Sequence, residues 1–424
     1  MKEFRSQQIK KSALVLVFLS ALFYCYEYIL RISPNVMMPD IMSQFSLTAA
    51  GAGWLISMYY FAYTPLQVVV GVITDRFGAK RVLSWAIALC ILGAFIFPAT
   101  HSVKIAAIGR ILIGTGSAFA YVGALAIANR TLNKDWFTFF AGAVTTLGVL
   151  GALLGDMEMS HLISDYPWTR ILHIAAIFGI LLLIAFLVTV RVNKRTTGEK
   201  KEPRIQSISF IGLKNVILSK PFILLGTIGA LLFLSLDIFA ELWGPQFIHI
   251  TRHVSIERAT WISGLIFWGW AVGSPCQALF YKYLRSARRC FLLEGLLAAI
   301  SISLAMLFIH NNVLLLETLF FLFGFFCSVE VICFSVAVQW VQTKSAATAV
   351  AVINFFVMLS GMIFQPLVSQ MLNWGWHGAM ENGHRLYTSA DFFSALLIVP
   401  AATFVAFFLS FLLPKNERDQ EKIA

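Results

Sequence analysis

The chain has 424 residues, of which 59% are hydrophobic and only 12% charged, about half the charged share of a water-soluble protein. That balance excludes a surface solvated all round and makes lipid the expected solvent. The net charge of +11 sits in short polar stretches rather than in a folded basic domain, which argues against nucleic-acid binding. The six cysteines (Cys25, Cys90, Cys276, Cys290, Cys327 and Cys333) include no C-x-x-C pair. They read as small buried hydrophobes and not as metal ligands or a disulfide framework.

Taken in chain order, the basic start (Lys2, Arg5, Lys10, Lys11) leads into an apolar run without a small-x-small cleavage site, so it reads as a retained first helix. Apolar runs and breakers predict helices over 12–32, 48–71, 82–101, 104–129, 136–160 and 168–191. After a charged stretch, a second set is predicted over 221–247, 258–282, 288–309, 313–340, 345–370 and 391–413. A hydrocarbon core of about 30 Å is crossed by about 20 residues at about 1.5 Å each. The expected fold is therefore an all-α membrane protein of twelve transmembrane helices. Residues 1–191 form an N-terminal six-helix bundle, 192–220 a cytoplasmic linker, and 221–424 a C-terminal six-helix bundle.

With both termini cytoplasmic, the 32 Lys and Arg fall on the cytoplasmic side except Arg31, Lys104, Arg110, Arg170, Arg252, Arg258 and Arg385, as the positive-inside rule requires. Six helices, a basic linker and six more predict an internal duplication. Shifting the sequence onto itself places Gly116 on Gly324 and Lys80-Arg81 on Arg288-Arg289.

Between the second and third predicted helices the chain reads Gly71-Val-Ile-Thr-Asp75-Arg76-Phe-Gly78-Ala-Lys80-Arg81. Gly71 is expected to let its helix approach a neighbour closely, and Gly78 to permit a tight turn. Asp75 is expected to cap a helix start or to pair with an arginine. This order of residues resembles the signature loop of the major facilitator superfamily, and Arg110-Ile-Leu-Ile-Gly114-Thr-Gly116 resembles the family's R-x3-G-x-G element. The resemblance covers essentially the whole chain. It implies two pseudo-symmetric bundles around a solute pathway, with Asp75, Arg76 and Arg81 latching the halves on the cytoplasmic side. The loop at Leu279–Arg289 keeps only the basic residues of that pattern. Gly142, Gly148, Gly151 and Gly155 suggest close helix packing, and the proline of the family's antiporter signature is missing there, which tilts the reading towards uptake. Two segments, Tyr26-Glu-Tyr-Ile-Leu-Arg31-Ile-Ser-Pro34-Asn-Val-Met and Tyr59-Tyr60-Phe-Ala-Tyr63-Thr-Pro65-Leu-Gln67, resemble the bacterial phagosomal-transporter-type branch, which implies amino acids or nucleosides as substrates.

Charges inside hydrocarbon are costly, by about 2.5 kcal/mol or more, and are functional candidates by default. Glu27 and Arg31 form an i,i+4 pair flanked by Tyr24 and Tyr28. Arg110, entering from the opposite face, is expected at the depth of Glu27. In the second half Asp237 and Glu241 form another i,i+4 pair, followed by Trp243-Gly244-Pro245, which should break the helix. Glu330 and Asn354 lie mid-helix, Tyr60 and Gln67 complete the candidate set, and Glu294 is expected to pair with the basic loop Arg285–Arg289.

A carboxylate in such a cavity can exchange protons, while arginines can hold a substrate carboxylate or phosphate. The expected function is proton-coupled uptake of a small polar metabolite such as an amino acid by a monomeric inner-membrane carrier with no cofactor and no metal. Its partners are then the substrate, protons and the lipid bilayer. Export or exchange of an organic anion, such as a sugar phosphate or carboxylate siderophore, is the alternative, and a receptor without transport a remoter one. No H-E-x-x-H, Walker A or G-x-S-x-G motif points to an enzyme.

Overall fold

The computed structural model describes residues 2–132, 144, 147–153, 159–163, 165–197, 218–307, 312–340, 346–381 and 384–414. Almost all of it is helical. The helices are α1 (Lys2–Ile32), α2 (Met38–Gln44), α3 (Ala49–Gln67), α4 (Val70–Phe77), α5 (Ala79–Ile96), α6 (Val103–Ser117), α7 (Ala120–Thr131) and α8 (Trp168–Thr197). After the linker come α9 (Lys220–Leu234), a π-helical segment (Ser235–Trp243), α10 (Gly244–Arg252), α11 (Ile256–Leu284) and α12 (Ala287–Leu307). They are followed by α13 (Val313–Cys327), a 3-10 turn (Ser328–Val331), α14 (Ile332–Gln339), α15 (Ala346–Gly375), α16 (Ser389–Leu396) and α17 (Ile398–Ser410). A two-residue antiparallel ladder, Met380–Glu381 with His384–Arg385, joins α15 to α16.

Nine of these helical stretches among the described residues are long and apolar enough to cross a membrane. The predicted spans 48–71 and 258–282 also appear as helices, with more polar residues. Of the predicted helix 136–160, the described residues include 144, 147–153 and 159–160, all helical. Several spans are jointed where the sequence predicts one continuous helix. The 48–71 span turns at Leu66–Val69, just after Pro65, which supplies no N–H to the helix.

Contacts divide the chain into two compact units, one of residues 1–33, 61–155 and 162–207, the other of 34–60, 156–161 and 208–424. Pro34–Tyr60 thus packs with the C-terminal helices. In the first unit α1 lies against α7 and α8, and α5 against α6 and α8. A Cβ on Gly116 would stand 2.4 Å from the Ala86 carbonyl oxygen, and one on Gly151 2.5 Å from that of Cys25. Such contacts require glycine and let α6 and α1 be approached at backbone distance. Gly148 and Gly151 so fulfil the packing expected of them, whereas Gly142 and Gly155 lie outside the described residues.

In the second unit α11 packs on α13, α9 on α15, and α12 on α13 and α17. Gly324 faces the Ile266 carbonyl of α11, whereas Gly116 faces α5, so the two glycines that the duplication aligns meet non-equivalent partners. Five of the six cysteines are buried and Cys276 is half-buried; all are free.

Polar caps mark where several helices begin. Ser255 accepts from the Arg258 N–H, and Asn312 from that of Leu315. Thr388 and Asp391 form a reciprocal capping box at α16. Next to it, the Tyr387 hydroxyl accepts the Ala49 N–H at the start of α3 (2.9 Å), and burial pushes that phenol above its ordinary pKa. Thr388→Ala is expected to cost about 1 kcal/mol, read as a lower thermal midpoint of the purified protein. An unchanged midpoint would show that Asp391 alone holds this helix start.

Candidate functional site

The site in the second unit is built on the π-helical segment. Its nine residues, Ser235–Trp243, are all buried, and no glycine or proline precedes them directly. Gly244-Pro245 does not stop the helix as expected; instead it ends the widened turns and starts α10, with proline in a first-turn position where no N–H is needed. Widened turns of this kind recur at functional sites.

Asp237 and Glu241 point to one hydroxyl. The Tyr60 oxygen lies 2.9 Å from Asp237 Oδ1 and 2.6 Å from Glu241 Oε2. The Ser360 hydroxyl of α15 donates to the other carboxyl oxygen, Asp237 Oδ2, and lies 2.5 Å from the Val357 carbonyl. Gln365 Nε2, also on α15, donates to the Asp237 backbone carbonyl at 3.1 Å. Further along, Trp243 Nε1 donates to Ser369 Oγ at 3.0 Å, and Asn35 Nδ2 donates to the Ala240 carbonyl at 2.8 Å. A Cβ on Gly361 would collide with the Tyr60 ring at 2.6 Å, so α15 closes over the phenol. Asp237 is fully buried and Glu241 is 4% exposed.

Glu330 sits in the 3-10 turn, 2% exposed and within electrostatic reach of Asp237. Gly229 of α9 leaves the space beside it, for a Cβ there would stand 3.7 Å from Glu330 Cγ. Asn354 is half-buried on α15, on the turns before Ser360.

In the first unit, Glu27, Arg31 and Arg110 are all buried. Arg110 donates to the Leu30 carbonyl at 3.2 Å and lies over the Phe97 ring. The Arg31 guanidinium stands 5.1 Å from the centre of the Tyr28 ring. Tyr24 meets Tyr28 edge-on at 5.1 Å and packs on Tyr121 at 5.2 Å. Glu27 lies within electrostatic reach of Tyr24 and Cys90. Gln67 Nε2 donates to the Ala118 carbonyl at 3.4 Å, at the joint between α6 and α7.

The loop motif departs from expectation at one glycine. Gly78 has φ +86° and makes the tight turn from α4 to α5, as predicted. Gly71 makes no close approach: among the described residues nothing lies within 4 Å of where its Cβ would stand. It faces open space because α4 begins anew at Val70, after the turn that follows Pro65. Arg76 lies over the Phe77 ring and, like Arg81, is exposed, while Lys80 is half-buried. The Asp75 side chain lies outside the described residues. Glu294 does not pair with the basic loop; it accepts from Gln277 Nε2 at 2.7 Å, while Arg288 and Arg289 donate to the Leu413 and Leu284 carbonyls.

Ser360 and Gln365 are absent from the sequence-derived set. Their signal is present, since Asn354, Ser360, Gln365 and Ser369 are polar side chains of a long apolar helix. No spacing rule, however, says which helix they face.

Comparison with known proteins agrees with this architecture. The Major Facilitator Superfamily profile matches residues 16–364. Among curated relatives, the multidrug resistance protein MdtL of a Shewanella strain is 23% identical over 41% of this chain and 45% of its own length. The protein spinster homolog 1 of Xenopus laevis is 24% identical over 58% of this chain and 47% of its own length. The chain thus spans about half the length of the curated relatives it matches, or less. Among solved structures, a bacterial homolog of the human lysosomal transporter Spinster, inward-facing and unoccupied, superposes with a TM-score of 0.78. It is 15% identical and covers 97% of this chain and 98% of its own. The nucleoside transporter NupG, solved as a point mutant, gives 0.70 at 13% identity over 95% and 99%. With the jointed apolar helices and a matched profile over most of its length, this chain belongs to the Major Facilitator Superfamily.

Proposed function

We propose that the protein is a secondary active transporter working by alternating access, coupled to protons, that takes up a small polar metabolite such as an amino acid. The observation that carries the coupling is the Tyr60 hydroxyl, held at hydrogen-bond distance from two carboxylates. A phenol has one hydrogen to donate. Two acid oxygens thus converge on one hydroxyl, and the three groups form a single network through which a proton can pass. A buried, partnered acid that carries a proton in one state and releases it in another is what coupling requires. This reading gives the coupling role to Asp237 and Glu241 rather than to Glu27.

Arg31 and Arg110, with Tyr24, Tyr28 and Gln67, then supply planar donors and hydroxyls for an anionic or zwitterionic solute. Glu27 balances their charge. The protein acts as a monomer in a bacterial inner membrane, its termini and the loop carrying Arg76, Lys80 and Arg81 on the cytoplasmic side, where the loop latches the halves.

Export is the second reading, favoured by the names of two relatives, MdtL and the methylenomycin A resistance protein of Bacillus subtilis, which is 23% identical over 40% of this chain. Direction separates the two. An inwardly acidic gradient imposed on inverted vesicles should drive efflux of preloaded amino acid for a proton symporter. Gradient-driven accumulation of an organic anion in the same vesicles would establish the exporter instead.

A further inference from the structure

A second buried carboxyl lies outside the Tyr60 cluster. Glu294 of α12 is 1% exposed and Gln277 of α11 2% exposed. Gln277 Nε2 donates to Glu294 Oε2 at 2.7 Å and to Ser328 Oγ at 3.0 Å. Ser328 in turn donates to the Phe325 carbonyl at 2.6 Å, and Gly273 keeps it against α11, since a Cβ there would stand 2.4 Å from its oxygen. Among the described residues, two buried acceptor atoms of this group have no donor, Glu294 Oε1 and Gln277 Oε1.

Among the described residues, the charged groups of the surrounding elements do not compensate the carboxylate. Arg288 and Arg289, on its own helix, turn to backbone carbonyls. On α11 Lys282 is exposed, the Tyr281 hydroxyl donates to Gln339, and Arg258 pairs with Glu317 of α13 at 2.5 Å. Helix α17 has no charged residue. The titratable groups within electrostatic reach are the thiols of Cys290 and Cys327. A buried carboxylate with one amide donor and no cation is strongly disfavoured, as are two unsatisfied acceptors. One hydrogen answers both costs: a proton on Glu294 removes the charge, and an acid O–H is the kind of donor that this group lacks.

We propose that Glu294, Gln277 and Ser328 form a second proton-binding site, in which neutral Glu294 donates to Gln277 and the amide passes its state to the 3-10 turn carrying Glu330. The linkage is short. Gln277 grips Ser328, the first residue of the Ser328–Val331 turn, and Glu330 is two residues on. Ionised Glu294 draws the amide wholly to itself; neutral Glu294 leaves it shared with Ser328. The site stands independently of substrate identity and of Tyr60.

Infrared spectroscopy of the purified protein in detergent, titrated with acid and base, tests this. A protonated-carboxyl C=O band should be present at neutral pH, vanish in Glu294→Gln, and persist in Asp237→Asn. In Gln277→Leu the same band should shift to higher frequency, having lost its acceptor. Glu294→Gln, an amide that can still donate to Gln277, should keep the wild-type melting temperature at neutral pH, whereas Glu294→Ala should lower it. A neutral-pH spectrum unchanged by Glu294→Gln overturns the proposal. So does a sodium-dependent rise in melting temperature that Glu294→Gln abolishes, for it would make the occupant a metal cation.

Discussion

Tyr60→Phe is expected to reduce proton-driven accumulation in proteoliposomes at least tenfold while substrate counterflow, which needs no net proton movement, continues. The substitution removes one oxygen and leaves the ring that packs beneath Gly361. What disappears is the hydroxyl between Asp237 and Glu241. Hydrogen bonds to charged groups are worth about 1.5–3 kcal/mol, enough by about 1.4 kcal/mol per tenfold to displace a protonation equilibrium beyond the working range. Asp237→Asn should match it in accumulation, because a permanently neutral side chain cannot release a proton. Wild-type uphill accumulation in both variants would remove this cluster from the coupling step. Loss of counterflow as well would point to substrate binding instead.

Gly269→Ala and Gly324→Ala should each be among the most destabilising single-methyl additions in the protein. A Cβ on Gly269 would stand 1.9 Å from the Phe321 carbonyl oxygen, and one on Gly324 2.0 Å from that of Ile266. These obstacles are backbone atoms on facing helices, α13 and α11, so no rotamer change relieves them. Added methylenes in a packed core cost about 1–3 kcal/mol where side chains can adjust; here the helices must separate, and the cost should reach or exceed the top of that range. Detergent-solubilised thermal melts are the measurement. Gly71→Ala, which faces open space among the described residues, is the matched control with little change expected. Equal melting temperatures for all three would show that α11 and α13 slide apart freely.

These contrasts show which physics a sequence carries openly. Lipid admits only apolar spans, so the membrane-crossing helices were legible from composition and run length, and the turn at Gly78 from its neighbours. The joints were not. The π-helical segment opens at Ser235 and the 3-10 turn at Ser328 without a proline or glycine at either point. Asp237 and Glu241 were visible as charges four residues apart. Their meeting with Tyr60, 177 and 181 residues away, depends on packing that no local pattern encodes. Gly71 failed for the opposite reason: a motif glycine suggests close approach, yet the chain restarts its helix beside it. Glu294 was assigned to the nearest arginines in sequence, whereas an amide on another helix claims it.

The π-helical stretch has a mechanical meaning as well as a chemical one. Its hydrogen bonds span five residues rather than four, so each turn stores extra chain compared with an α-helix, whose residues advance about 1.5 Å each. Passing such turns to ordinary bonding lengthens the rod and rotates whatever lies beyond Trp243 against whatever lies before Ser235. The far end is held, since Arg252 donates to the Ala305 carbonyl at 2.8 Å. Any such rotation falls on the turns that carry Asp237 and Glu241. The span from Lys220 to Arg252 is thus threaded like a screw at the very residues proposed to carry the proton.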